Sequence, residues 1–254
     1  MRLKLIIALF AVFVLASGVA RAQGVVLQLS PEDQQRTTAL LGPGVVGQAL
    51  PSQPIGDPQA YFPLHGKARP YVVTSGSHVG KQEMLDLEVA PRPTGAQAWR
   101  FQFSPTLAGF IHRTAEGDLN MPAVADANEG LVVISTPANP FISKGMQPGE
   151  TRTFTQNVSV NYLDDPTDQK YSGALKGTYT YVGTFQVTVP AGVFNAVLFR
   201  VKVGGKIGPA HTKDIQYNFF APGVGVVAMI TQEDVAAFWI YHIDTSAGKV
   251  LVSQ

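Results

Sequence analysis

The residues with the clearest chemical pattern in this sequence are aromatic side chains at alternate positions of three segments. Successive side chains of a β-strand point to opposite faces, so rings at every second position share one face. A row of rings on a concave sheet can line a pocket for an acyl chain or another apolar ligand. The same pattern also fills the core of a sheet, and the sequence leaves both interpretations open. The candidate ligand-lining residues are Trp99, Phe101, Phe103, Tyr179, Tyr181, Phe185, Tyr217 and Phe219.

A second group of candidate residues is acidic. Asp164, Asp165 and Asp168 lie close together in the segment YLDDPTDQKYSG. Ca²⁺ prefers carboxylate oxygens, so these residues are a weak candidate for a Ca²⁺ site. Their spacing differs from that of a Ca²⁺-binding loop, and Asp is common in turns because its side chain hydrogen-bonds to nearby backbone. We therefore expect a solvated turn here, and no cofactor.

The His residues are candidates for catalysis or metal binding, but none has a suitable neighbour in the sequence. The motifs H-x-x-x-H and H-E-x-x-H are missing. Ser246 and Lys249 match the S-x-x-K motif of penicillin-recognising enzymes, but that motif requires a helix, and Gly248 here leads into a strand-like end. A hydrolase that uses His112 or His242 is therefore the weakest functional hypothesis, and a non-catalytic protein is favoured.

The elements that must position these residues are predicted to be antiparallel strands. Leu85, Leu87 and Val89 alternate with acidic residues, and GTYTYVGTFQVTV alternates large apolar residues with Thr and Gln. A period of two with one polar face is typical of antiparallel strands over a single core. Turn sequences separate about ten such strands, and Gly183 is a predicted bend point. The predicted fold class is mostly β, a single antiparallel meander curled into a half barrel or barrel-like sheet.

The region before this sheet is predicted to contain one short helix and an irregular arm. Ser30 can cap a helix that begins at Pro31, and Gly42 can end it. The stretch that follows is rich in Pro and Gly, which indicates an irregular connector on the surface. The predicted organisation is the helix and arm in 23–59 and one antiparallel β domain in 60–254.

Residues 1–22 have the pattern of a signal peptide. Basic residues precede an unbroken apolar run, and small residues follow at the spacing that signal peptidase reads. We expect cleavage between Ala22 and Gln23. The apolar run is short for a bilayer span, so no retained membrane span is expected. The predicted location is the periplasm, with secretion as the alternative.

Charge and cysteine content exclude several classes of protein. The sequence has 19 basic and 18 acidic residues, and residues 1–22 contain three of the basic ones and no acidic one. The remaining chain has a net charge of −2, which argues against nucleic acid or an anionic membrane surface as a partner. The absence of Cys excludes disulfides, thiol catalysis and thiolate metal sites.

Residues 176–230 contain two turn motifs that carry a family resemblance. In YVGTFQVTVPAGVFNAVLFRV a strand enters a Val-Pro-Ala-Gly-x-Phe turn, and in YNFFAPGVGVVAMI a strand ends in Ala-Pro-Gly-x-Gly. In these motifs the chain resembles exported bacterial β-sheet domains of uncharacterised function. Those domains are similar in architecture to the Lol-type periplasmic lipoprotein carriers, whose open, curved sheet holds an acyl chain. The resemblance implies an open half barrel and assigns no activity, because a fold alone does not fix a function.

Three functional hypotheses follow, in decreasing order of support. The first is a periplasmic, non-catalytic binding protein for a lipid or other apolar small molecule, with the aromatic residues as its lining. The second is an envelope-assembly or accessory protein that binds an envelope protein through its sheet. The third is a periplasmic hydrolase whose groups meet only in the folded chain.

Overall fold

The computed structural model describes residues 24–65, 68–92, 97–237 and 241–254, so the predicted signal peptide and its cleavage site at Ala22 and Gln23 lie outside the described residues. Within these ranges there are two helices and fifteen strands. The helices are α1 (Pro31–Leu41) and α2 (Pro58–Tyr61). The strands are β1 (Val25–Val26), β2 (Val46–Ser52), β3 (Arg69–Ser75), β4 (Gln82–Leu85), β5 (Leu87–Pro91), β6 (Gln97–Gln102), β7 (Leu107–Arg113), β8 (Leu119–Asp126), β9 (Leu131–Ile142), β10 (Thr151–Tyr162), β11 (Gln169–Val189), β12 (Gly192–Ile207), β13 (Ala210–Ala221), β14 (Gly225–Ala237) and β15 (Tyr241–Leu251).

The strands form one antiparallel sheet that curves until its two ends approach each other. The hydrogen-bonded order is β4-β3-β15-β14-β13-β12-β11-β10-β9-β8-β7-β6-β5. The strands at the two ends of this order, β4 and β5, are separated in the chain by Asp86 alone. The sheet is therefore nearly closed into a barrel. This confirms the predicted mostly β meander and its barrel-like curvature.

The sequence predicted about ten strands, and several of the additional strands lie where the alternation of apolar and polar residues is weak. β7 and β8 are buried on both faces over most of their length. Ile111 belongs to the main core, whereas Phe110 packs in a second cluster with Ala98 and Val132. A strand buried on both faces reads as a continuous apolar run, so a period of two does not identify it.

β11 shows the predicted alternation and the predicted bend. Its odd-numbered residues from 179 to 189 are buried, including Tyr179, Phe185 and Val189. The pairing with β12 shifts between Tyr181 and Gly183, and Gly183 has a φ of 148°. Such a backbone favours Gly, which explains why the bulge occurs at this residue.

The N-terminal helix forms as predicted, but the arm that follows it is more regular than predicted. Ser30 is the N-cap of α1, and its hydroxyl accepts a hydrogen bond from the backbone N–H of Asp33. Instead of an irregular connector, the next segment forms β2, which pairs with β11 beyond the end of β10. β2 forms because this part of β11 has a free edge whose backbone groups need partners.

An aromatic cluster fills part of the barrel. Phe62, directly after α2, lies edge to face against Phe101, Phe141 and Phe220, with ring centroids 5.3, 5.0 and 6.2 Å away. Phe199 packs between Phe220 and the ring of Tyr179, on which it stacks at 5.0 Å. Offset and edge-to-face ring pairs of this kind stabilise a core beyond the area they bury. The segment after α2 therefore packs into the core of the barrel.

Candidate functional site

A cavity of about 390 Å³ lies inside the barrel, beside the aromatic cluster. Its inner wall consists of buried residues of that cluster, among them Phe141, Tyr179 and Phe199. Exposed residues, among them Leu107 and Glu233, line its outer part. The cavity is therefore closed and apolar at one end, and open to solvent at the other.

Strand alternation places the cavity's side chains. On β12 the residues that face the cavity are Val201 and Val203, and on β13 they are the even-numbered polar residues Asp214, Gln216 and Asn218. The register pairs Val201 with Gln216 and Val203 with Asp214, which puts each pair on one face of the sheet. β12 thus supplies an apolar wall, and β13 places a polar row beside it.

Asp214 is the most perturbed acid of this cavity. Its Oδ2 accepts a hydrogen bond of 2.5 Å from Nε2 of Gln216, while its Oδ1 is buried and has no hydrogen-bond partner. Burial raises the pKa of Asp214 to about 7; the hydrogen bond from Gln216 and the backbone N–H of Ile215 lower it, and the nearby charge of Glu233 raises it. An unpaired buried carboxylate oxygen costs free energy, which a ligand that donates a hydrogen bond would recover.

Three further acids, Asp126, Glu129 and Glu233, line the same cavity. The register places Glu233 of β14 directly opposite Asp214 of β13. Glu233 as a whole is exposed, but partial desolvation of its carboxylate raises its pKa, and the charge of Asp126, at the end of β8, raises it further. Among the described residues that line the cavity, none is basic. The described residues contain no group of three His, Cys, Asp or Glu arranged to hold a metal ion.

A second cavity, of about 270 Å³, adjoins the first. The two share Leu107, Thr231 and Glu233 as lining residues. Here the charges are paired: Nζ of Lys249 lies 2.6 Å from Oε2 of Glu83 and donates to the backbone carbonyl of Phe103 at 2.5 Å. Lys249 and Glu83 thus neutralise each other, whereas the acids of the first cavity have no described basic residue beside them.

The eight predicted aromatic residues do not form one continuous lining. Tyr179 lines the main cavity, Phe103 lines the adjoining one, and Phe101 lines a small cleft beside Phe62. Trp99 is partly buried against the core. Tyr181, Phe185 and Phe219 are fully buried in the core. The structure therefore brings one of the eight, Tyr179, to the main cavity.

Tyr217 lies on the opposite face of the sheet from the cavity, where α1 covers it. Its hydroxyl donates a hydrogen bond of 2.6 Å to Oδ1 of Asp33 in α1. Oδ2 of Asp33 accepts a hydrogen bond of 2.5 Å from Nη1 of Arg200. The sequence left two interpretations open for Tyr217 and Phe219, a ligand lining or a core. In the structure both are fully buried, and the even-numbered residues of β13 face the cavity.

The other candidate residues lie away from the cavity. Asp164, Asp165 and Asp168 are exposed in the turn after β10, where Oδ1 of Asp165 accepts hydrogen bonds from the backbone and hydroxyl of Thr167. They do not form a group that could hold a metal ion.

The two His residues of the hydrolase hypothesis lie on different strands. Burial, followed by the charge of Arg92, lowers the pKa of His112, whose Nδ1 is buried without a hydrogen-bond partner. His242 lies on β15, and the structure describes its backbone but not its side chain.

Sequence reasoning missed Asp214 and Glu233. The segment TKDIQYNFF alternates polar and apolar residues, which indicates a strand, and only its apolar residues Tyr217 and Phe219 were considered as site candidates. The available signal was the position of Asp214 in the same row as Gln216 and Asn218. That row is typical of a solvated face as well, so the sequence could not identify the cavity.

Comparisons with known proteins give no family assignment. No protein-family model matches the chain, and no curated protein matches it. In the described residues, no helix has the length and apolar character needed to cross a bilayer.

Two solved structures are similar to this chain. One is a predicted lipoprotein from Parabacteroides distasonis, with 12% identity, a TM-score of 0.38, and coverage of 79% of this chain and 99% of that chain. The other is the hypothetical lipoprotein YmcC from Escherichia coli K12, with 9% identity, a TM-score of 0.36, and coverage of 89% of this chain and 98% of that chain. The printed names of both proteins assign no ligand or activity.

Proposed function

We propose that this protein binds a lipid or another apolar small molecule inside its barrel, in the periplasm, and releases it chemically unchanged. The observation that carries the proposal is the cavity of about 390 Å³ beside the aromatic cluster. Small-molecule sites typically have volumes of about 300–1,000 Å³ and mostly apolar walls with a few polar groups. The cavity meets both conditions.

The lining supports an apolar guest. Met121, Phe141, Tyr179 and Phe199 are buried around the inner part of the cavity, and Val201 adds an aliphatic wall. A guest that covers this surface gains roughly 25 cal/mol for each Å² of apolar area removed from water. The opening at the exposed residues gives such a guest a route into the barrel.

The periplasmic location is proposed from the sequence pattern of residues 1–22. Basic residues, an apolar run and small residues at the cleavage position are typical of exported bacterial proteins. A protein that carries or stores apolar molecules would be useful in that compartment, because the space between the two membranes is aqueous and exposes apolar molecules to water.

Binding can be tested on the purified protein and on one pair of matched variants. The first measurement is extraction with organic solvent followed by mass spectrometry, together with titration of a fluorescent fatty acid. Val201→Phe fills the cavity, whereas Val193→Phe adds the same ring at a site that is 60% exposed. We expect Val201→Phe to weaken uptake about tenfold, since added atoms in a filled site exclude the guest.

The control is Val193→Phe, which should bind the fluorescent fatty acid as the parent protein does. Empty extracts together with no uptake by the parent protein would overturn the proposal. Equal uptake by the Val201→Phe variant and the parent protein would overturn the assignment of the site to this cavity.

A second candidate function is the binding of an envelope protein at the junction of the sheet's ends. Met84 on β4 and Val89 on β5 are 56% and 60% exposed. Apolar residues on end strands favour pairing with another chain. Periplasmic cross-linking should then recover one stoichiometric partner, and the double substitution Met84→Lys with Val89→Lys should abolish its recovery. Unchanged recovery from the double variant would exclude this junction.

A further inference from the structure

The inner face of β13 and β14 places two carboxylates directly opposite each other. Asp214 pairs in register with Glu233, and both line the main cavity. Like charges at directly opposed positions of an antiparallel pair destabilise the sheet. Two opposed acids that line one cavity are therefore a candidate site for a group that offsets their charge.

The neighbouring register position shows the ordinary arrangement. Lys213 pairs with Asp234, one residue along both strands and on the other face of the sheet. Opposite charges there stabilise the pair. The same two strands thus carry opposite charges outside the barrel and like charges inside it. The inner pair is therefore a local feature of the cavity and not a general property of these strands.

The described protein supplies no cation to the inner pair. The described residues around the cavity include no Lys, Arg or His. Lys249, in the adjoining cavity, lies 2.6 Å from Glu83 and is also bound to the carbonyl of Phe103. Oδ1 of Asp214 remains buried without a hydrogen-bond partner. A cationic hydrogen-bond donor bound here would stabilise the ionised forms of both acids and would supply the donor that Oδ1 of Asp214 lacks.

We propose that the bound molecule is an amphiphile with a protonated primary or secondary amine, which donates a hydrogen bond to Oδ1 of Asp214 and lies beside Glu233. This inference rests on the proposed binding function and names its ligand class. The apolar part of the molecule extends toward Phe141, Tyr179 and Phe199. The amine lies toward the exposed end of the cavity, where Glu233 is open to solvent. A quaternary ammonium has charge but no N–H, so it satisfies Glu233 and leaves Asp214 unpaired.

The test compares molecules with one chain length and different end groups. Dodecylamine, dodecyltrimethylammonium, dodecanol and dodecanoate each displace a neutral, fluorescent apolar dye from the parent protein. We expect dodecylamine to bind most tightly and dodecanoate least tightly, with a difference of at least about tenfold. Dodecanol and dodecyltrimethylammonium should lie between them.

Two variants and a control assign the preference to residues. Asp214→Asn and Glu233→Gln should each weaken dodecylamine binding about tenfold and leave dodecanol binding unchanged. Asp165→Asn, which changes an exposed acid of the turn after β10, should change neither. Glu233→Gln keeps the test informative if Asp214→Asn alters folding.

The outcomes separate this inference from the proposed function. If the dye and dodecanol bind but dodecylamine binds no better than dodecanoate, the amine assignment is overturned and the binding function stands. If dodecyltrimethylammonium matches dodecylamine, the donor requirement is overturned. If neither the dye nor any dodecyl compound binds, the binding function itself fails.

Discussion

Two carboxylates lie on opposite faces of strand β13, the buried Asp33 of α1 and the partly buried Asp214, and their surroundings differ. Asp33 of α1 receives hydrogen bonds from Ser30, Tyr217 and Arg200, at 2.8, 2.6 and 2.5 Å. Asp214 of β13 receives one side-chain hydrogen bond, from Gln216, and the backbone N–H of Ile215 also acts on its carboxyl, while its Oδ1 has no side-chain donor. Asp33 is thus stabilised by a cation and two hydroxyl groups, whereas Asp214 has neutral donors only.

The pKa values of the two acids move in opposite directions for this reason. Burial alone would raise the pKa of Asp33, but the hydrogen bonds from Tyr217, Arg200 and Ser30 outweigh it, so the pKa is lowered. Burial dominates at Asp214 and raises its pKa to about 7. The comparison shows that burial alone does not determine the direction of the pKa shift of a carboxylate, because its hydrogen-bonding partners also contribute. A compensated acid joins two elements, whereas an uncompensated acid beside a cavity suits a ligand.

The largest expected effect comes from removing the compensated acid. Asp33→Ala leaves the fully buried Tyr217 and the partly buried Arg200 without this acceptor and removes a contact between α1 and the sheet. We expect the free energy of unfolding to fall by about 3–5 kcal/mol, as measured by urea denaturation.

The matched control for this variant is the neighbouring residue in the first turn of α1. Glu32→Gln removes an exposed carboxylate that pairs with Arg36 and Lys202. Exposed ion pairs stabilise proteins by about 1 kcal/mol or less, so this variant should unfold almost as the parent does. Equal effects of the two substitutions would contradict the structural role given to Asp33.

The second effect concerns Asp214 and depends on pH. Its carboxyl binds a proton more tightly in the native protein than in the unfolded chain, so the native state loses stability as the pH rises from about 4 to about 7. Gln216 and Glu233 act on it directly, and the other titratable residues that line the cavity are Asp126 and Glu129. Asp214→Asn removes the proton equilibrium and keeps an acceptor for Gln216. Above pH 7 the variant should therefore be more stable than the parent, by on the order of 2–4 kcal/mol.

Urea denaturation of both proteins across this pH range measures the effect. Near pH 4 the parent and Asp214→Asn should have similar stability, because Asp214 is then protonated in the native state. The exposed acid Asp165, changed to Asn, provides the control. A stability difference that stays constant from pH 4 to pH 8 would show that the proton on Asp214 is not involved.

The sequence allowed much of the fold to be predicted, because its local signals are those that the structure uses. The Ser30 cap, the first turn at Pro31 and the bend at Gly183 depend on neighbouring residues and were predicted correctly. The alternation in β11 depends on one solvated and one buried face, and it was also predicted correctly. Strands such as β7 and β8 have no solvated face, so they lack the alternation of polar and apolar residues by which a strand can be predicted.

The site was harder to predict, because it depends on which face of β13 becomes the inside. Tyr217 and Phe219 belong to the more apolar row, and the sequence did not determine which sheet face is concave. In the structure Asp214, Gln216 and Asn218 face the cavity, and Tyr217 contacts α1 on the other face. That contact joins β13 to a helix that is distant in the chain. A local pattern contains no information about that contact.

The variant with the smallest expected effect tests which face of β13 carries Tyr217. Tyr217→Phe removes the hydroxyl that donates to Asp33 and accepts from Arg36 at 3.0 Å, and it keeps the ring. We expect the free energy of unfolding to fall by about 1–2 kcal/mol. Binding of the fluorescent fatty acid should be unchanged, because Tyr217 lies on the face covered by α1. A weaker affinity with unchanged stability would return Tyr217 to the ligand lining and contradict the assignment of the two faces of β13.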